Sequence, residues 1–74
     1  MSISMKLKMK SAPGAILRVI GLAERRGYDP LSINAEHHDG DVVMHMTVKA
    51  HRPIQLFVNQ AQKLFGMLSV EVMK

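Results

Sequence analysis

Four histidines, a pair of aspartates around one glycine, scattered serines and a proline-glycine-alanine run are the residues here whose chemistry could matter. The chain has no cysteine, so thiolate catalysis, thiolate metal sites and disulfides are all excluded. His37 and His38 are adjacent, and on a strand neighbouring side chains point to opposite faces and do not readily share an ion. His45 joins either of them only if the cross-strand register brings it there. No carboxylate stands at helical ligand spacing, so polar surface histidines are the expectation. Asp39 and Asp41 flank Gly40, where a tight turn favours aspartate for backbone reasons alone. Ser11, Ser32 and Ser69 lie in no nucleophile-elbow context, and no pair of groups has a plausible acid and base assignment. A non-catalytic protein is expected. Pro13-Gly14-Ala15 is different, because it opens a helix whose early N–H groups have no intrahelical partner. Such groups, assisted by the helix dipole, suit a carboxylate, and Gly14 lets a ligand approach the backbone. The same three residues also suit an ordinary strand-to-helix turn.

The elements that would hold these residues follow from periodicity. From Ser2 to Lys10, Ile3, Met5, Leu7 and Met9 alternate with Ser4, Lys6, Lys8 and Lys10, the pattern of a half-buried strand. A helix is predicted from about Pro13 to Arg26, with a core stripe of Ile16, Val19, Ile20 and Ala23. Gly27 ends it, in the left-handed conformation. Tyr28-Asp29-Pro30 reads as a connector, since Pro30 biases Asp29 away from helix. Strands are expected at Leu31 to His37 and Val42 to Lys49, joined at Asp39-Gly40, a hairpin signal. Pro53 opens a second helix with an apolar stripe of Ile54, Phe57, Val58, Ala61, Leu64 and Phe65, closed by Gly66. Leu68, Val70 and Val72 form a last strand. The seven methionines read as adaptable core filler.

The order βαββαβ points to an α+β, ferredoxin-like sandwich: a four-stranded antiparallel sheet, order 4-1-3-2, with both helices on one face. The other face would show Ser4, Lys6, Lys8, His45, Thr47 and Lys49, too polar to need a cover. That topology serves several kinds of module, and the residues must choose among them. An RNA-recognition motif needs aromatics on its outward sheet positions, and none is present there. A soft-metal carrier needs paired thiolates in its first loop, which here is Lys10-Ser11-Ala12-Pro13-Gly14.

The 74 residues form one expected domain, small enough to gain from self-association or a larger partner. The formal charge of +4 draws on three alternating lysines, read first as a solvated strand face and second as a nucleic-acid contact. No apolar run approaches the length needed to span a bilayer, and residues 1 to 6 carry no apolar signal region. A cytoplasmic location is expected. The second strand should lie at a sheet edge, which invites a side-by-side homodimer with a continuous sheet.

Pro13-Gly14-Ala15-Ile16-Leu17-Arg18-Val19-Ile20-Gly21-Leu22, followed by Arg26-Gly27-Tyr28, resembles the opening of the ACT domain in acetolactate synthase regulatory subunits. Met44 to Val48, and Ile54 to Leu64 with Gln60 and Lys63, resemble more weakly the second half of the short isozyme II type. The resemblance covers about residues 3 to 72, and a single ACT unit matches the length of that short type. It implies a regulatory subunit that activates a large catalytic subunit in branched-chain amino-acid synthesis. Thiamine diphosphate, magnesium and FAD would belong to that partner, with no cofactor in this chain. It also implies an effector site for a branched-chain amino acid at a dimer interface, beside Ser11, Gly14, Ala15, Asp29 and Pro30. Valine-sensitive relatives carry Asn before the glycine loop and an Asn-Ile pair after the first helix, where this chain has Ser11 and Asp29-Pro30. An amide can donate to a carboxylate, whereas an ionised aspartate can only accept, so weak or absent valine feedback is expected. A free-standing amino-acid sensor is the alternative, and a nucleic-acid-binding module a more remote one.

Overall fold

Alternation in the first strand has the consequence its sequence dictates. In the computed structural model, which describes residues 1–73, β1 spans Ser2–Lys10, and Met5, Leu7 and Met9 are buried while Lys6, Lys8 and Lys10 are exposed. The remaining elements are α1 (Ala15–Arg25), β2 (Tyr28–His38), β3 (Asp41–Ala50), α2 (Ile54–Ala61) and β4 (Met67–Met73). The antiparallel sheet has the order β2-β3-β1-β4, the expected arrangement seen from the other edge. β3 behaves as its pattern requires: Val42, Met44, Met46 and Val48 are all buried. They face Met5, Leu7 and Met9 along a β1–β3 register that pairs Met5 with Met46 and Leu7 with Met44. Four of the fourteen side chains in the main core cluster are therefore methionines of β1 and β3, unbranched groups that fill the space beneath two unequal helices.

Three expectations need correction. β2 begins at Tyr28, three residues before the expected start, so Tyr28-Asp29-Pro30 is strand and not connector. Pro30 is tolerated because β2 is an edge strand, where a missing N–H need not break a ladder. The register shifts between Pro30 and Ser32, and this bulge keeps Ile33 and Ala35 paired with the core-facing Met46 and Met44. Helix α1 buries Ala15, Val19, Leu22 and Ala23, a stripe rotated slightly from the expected one, with Ile16 and Ile20 at its margin. The small side chains at Ala15 and Ala23 let this face sit close to the sheet. Finally, α2 ends at Ala61 after eight residues. Phe65 falls in the turn beyond it and is 89% exposed, so it does not belong to the buried stripe that Phe57, Val58 and Ala61 form.

The strand directions give the sheet two distinct ends. At one lie the end of β1, the β2–β3 turn and Gly66, joined by Ser11 N–H to Gly40 O at 2.9 Å and Lys10 N–H to Gly66 O at 2.8 Å. At the other lie the start of β2, the end of β3 and the approach to α2. There Tyr28, 1% exposed, packs its ring 5.4 Å from that of Phe57 and donates its hydroxyl proton to Pro53 O at 2.7 Å.

Candidate effector site

The turn from β1 into α1 has the backbone that its glycine permits. Gly14 is the N-cap residue of α1 at φ 77°, a left-handed conformation costly for any residue with a Cβ. Its carbonyl accepts from Arg18 N–H at 2.9 Å, the first regular turn of the helix. No side chain caps this helix, and its first turn carries no acidic residue. Gly14 is exposed, and a Cβ built on it would meet nothing within 4 Å. The first N–H groups of α1 are therefore open on the side where Gly14 has no side chain, apart from Ala15 N–H, which bonds Ala12 O at 3.1 Å.

Ser11 lies at the same end, its hydroxyl 3.2 Å from His37 Nδ1 near the end of β2. Ser11, Gly14 and Ala15 thus form one group beside the far end of the edge strand. Asp29 and Pro30 form another, at the start of that strand, where Asp29 pairs with Lys49 and Pro30 with Val48. Eight residues of strand separate Asp29 from His37, roughly 25 Å at the usual rise per residue. Within one chain the five expected residues do not meet. The Asp29 carboxylate is held by His51, with Nε2 3.0 Å from Oδ2, an exposed pair that no spacing in the sequence signals.

The remaining chemistry-bearing residues stay apart. His37 pairs with Val42 and His45 with Asn34, so the register does not bring His45 to the adjacent histidines. His38 bonds Glu36 across two residues at 3.2 Å. Among the described residues no group of three or more His, Cys, Asp or Glu is placed to hold a metal ion. Asp41 takes weak contacts from Lys8 and Lys10 at 3.9 and 3.8 Å. The open face of the sheet holds Ser4 and Thr47, bonded hydroxyl to hydroxyl at 2.9 Å, among Lys6, Lys8, His45 and Lys49. No aromatic ring stands there: Tyr28 and Phe57 are buried on the helical side and Phe65 lies in a turn. Base stacking has no platform. No helix among the described residues is long and apolar enough to cross a membrane.

The fold matches the ACT domain from GTP pyrophosphokinase of Chlorobium tepidum with a TM-score of 0.85 and 12% identity, over 97% of this chain and 96% of that one. It matches the acetolactate synthase small subunit of Thermotoga maritima with the same TM-score of 0.85 and 23% identity, over the whole of this chain but only 48% of that subunit. A formyltetrahydrofolate deformylase from Pseudomonas putida matches at a TM-score of 0.77 and 10% identity, with this chain covering 29% of the enzyme. At such identities the three share a fold with this chain, and their activities differ from one another. No curated protein sequence matches the chain with significance. The sequence model of the ACT domain family matches residues 11–70, which takes in the β1–α1 turn, both helices and most of the sheet, and the chain belongs to the ACT domain family.

Proposed function

We propose that this ACT domain is a non-catalytic regulatory subunit that activates an acetolactate synthase, with weak or absent valine feedback. The observation that carries the reading is the β1–α1 turn. Its Pro13-Gly14-Ala15 run and the Arg18-Val19-Ile20-Gly21-Leu22 that follows resemble that family's regulatory subunits, and Gly14 adopts the left-handed backbone that leaves helix N–H groups open. The likeness of fold to the Thermotoga maritima small subunit agrees with this reading. Thiamine diphosphate, magnesium and FAD would reside in the catalytic partner.

The effector site would form between two copies. β2 is an edge strand that exposes Leu31 and Ile33, the kind of strand that pairs across a two-fold axis. Antiparallel pairing centred on Ile33, the midpoint of β2, would set Asp29 of a second copy opposite His37. That places Asp29 and Pro30 of one copy beside Ser11, Gly14 and Ala15 of the other. An amino-acid carboxylate would lie on the α1 N–H groups of one copy, close to Asp29 of the other.

Mixing the purified chain with the acetolactate synthase large subunit of its own organism tests the proposal. Stimulated acetolactate formation and co-elution are expected, with little inhibition by valine. Absence of both stimulation and co-elution would reject the regulatory role in that enzyme. A valine- or leucine-dependent thermal shift of the chain alone would then favour a free-standing sensor.

A further inference from the structure

A second cleft, of about 230 Å³, opens at the opposite end of the helical layer from the β1–α1 turn. Its walls are Arg26 and Tyr28 after α1, Arg52 before α2, and Leu56, Asn59, Gln60 and Lys63 along α2 and its last turn. The last four follow the spacing i, i+3, i+4, i+7, which puts them on one face of that helical segment. None of Ser11, Gly14, Ala15, Asp29 and Pro30 lines this cleft, so it is separate from the effector site proposed above.

Three features make the cleft more than a gap. First, its cations are uncompensated. Arg26, Arg52 and Lys63 enter no ion pair among the described residues, and no carboxylate is among the lining residues. Second, its base is fixed. The Tyr28 hydroxyl bonds Pro53 O at 2.7 Å, which ties the start of β2 to the residue preceding α2. Third, one of the cations lies along the turn that ends α1. Gly27, at φ 84°, has no side chain, and a Cβ there would stand 3.8 Å from Cδ of Arg52, so the Arg52 stem runs alongside this position. Arg26 and Arg52 both line the cleft, with Lys63 one helical turn past Asn59.

Guanidinium groups bind phosphate oxygens in pairs, a lysine adds a point charge, and the Asn59 and Gln60 amides can donate to the remaining oxygens. Three positive charges around a small cleft exceed what a monocarboxylate can balance. We infer that this cleft binds the phosphate group of a small phosphorylated molecule, with Arg26, Arg52 and Lys63 as its ligands and Asn59 and Gln60 as supporting donors. Leu56, 48% exposed, would offer the apolar wall for the organic part. Such a ligand would bridge α1, β2 and α2 and stiffen the packing of the two helices.

Titration of the ¹⁵N-labelled chain with inorganic pyrophosphate, followed by NMR, tests this. Shifts confined to Arg26 through Tyr28, Arg52, and Asn59 through Lys63 are expected, saturating in the millimolar range or below. The triple substitution Arg26→Gln, Arg52→Gln, Lys63→Gln should weaken binding at least tenfold. A control with the same loss of charge elsewhere, Lys6→Gln, Arg18→Gln, Lys49→Gln, should weaken it less than threefold. All six residues are exposed, so both variants should keep their circular dichroism and melting behaviour. Equal weakening in the two variants would overturn the proposal as general attraction to a basic chain, and so would shifts spread over Lys6, Lys8 and Lys49. Succinate binding as tightly as pyrophosphate would overturn the phosphate assignment.

Discussion

The Tyr28 hydroxyl donates a 2.7 Å hydrogen bond to the carbonyl of Pro53, twenty-five residues away, and so links the first residue of β2 to the one before α2. The ring beneath it is 1% exposed and packs against Phe57, so one side chain joins α2 to the edge strand. Replacing Tyr28 by Phe keeps the packing and removes only the hydroxyl. A net loss of about 1 kcal/mol is expected, read as a lower urea midpoint with an unchanged slope. An unchanged midpoint would mean that water replaces the bond without cost.

Phe57 is the larger half of that contact. It is wholly buried at the centre of the eight-residue α2, the shorter of the two helices. Phe57→Ala removes most of an aromatic side chain from a small core, a change that costs about 3–5 kcal/mol. A domain of this size has little more than that to lose. The variant should therefore lose its dispersed amide NMR spectrum at 25 °C. A cooperative melt within a few degrees of the parent would show that the methionines of β1 and β3 collapse to fill the space.

How far the sequence foretold these relationships depends on which periodicity each residue obeys. The alternation of β1 and β3 fixes which side chains are buried, because a strand with one polar face has a single workable orientation. The topology follows from element order and from the Asp39-Gly40 turn. Tyr28 reads as part of a connector because Pro30 reads as a breaker, and only the position of β2 at the sheet edge makes proline harmless there. The spacing of Phe65 continues the α2 stripe, but past Ala61 the backbone bonds tighten, Lys63 N–H to Gln60 O and Leu64 N–H to Ala61 O, and Phe65 falls in the turn beyond. The break between β1 and α1 was legible from Pro13-Gly14, but the left-handed backbone of Gly14, which puts Pro13 outside the helix, was not, since a proline suits a first helical turn equally well. The basic cleft was not legible. Its residues come from three segments, and nothing in the spacing of Arg26, Arg52 and Lys63 announces that they converge.

Gly14 offers a test that separates stability from ligand binding. Its φ of 77° is unfavourable for an L side chain although the space beside it is empty. Gly14→Ala should cost about 1 kcal/mol from that conformation alone. Gly40, at φ 84° in an equally open turn, is the matched control, and Gly40→Ala should cost the same. Only Gly14→Ala should also impair any amino-acid-dependent thermal shift, because its methyl group stands where a carboxylate would approach the α1 N–H groups. Equal ligand responses in the two variants would remove Gly14 from the effector site.

Self-association through β2 makes its own prediction. Ile33 is 40% exposed at the middle of the edge strand and Leu31, beside the bulge, is 55% exposed. Ile33→Lys puts a charge on each copy close to the proposed two-fold axis, so the two ammonium groups would repel across it. Sedimentation at micromolar concentration should show the parent as a dimer and the variant as a monomer. Dimers of equal stability in both would move the interface elsewhere, and the split effector site would then have no basis.

Asp29 carries the expectation of weak valine feedback, and its role is separable into charge and donor. Its carboxylate lies 3.0 Å from His51 Nε2 on an exposed edge, leaving the second oxygen free to face an incoming carboxylate. Two like charges about 4 Å apart repel by about 1 kcal/mol in water and more where solvent is excluded, so removing one should tighten binding about fivefold or better. Asp29→Ala removes the charge, and with it the bond to His51, and adds no donor. Asp29→Asn removes the charge and adds an amide that can donate to the ligand. Valine affinity measured by calorimetry on the dimer should therefore rise in the order Asp29, Asp29→Ala, Asp29→Asn. If both variants bind valine no better than the parent, Asp29 does not meet the ligand, and the weak feedback must be traced to Ser11 or Pro30. If Asp29→Ala alone accounts for the whole gain, the charge decides the matter and the amide of sensitive relatives contributes nothing as a donor.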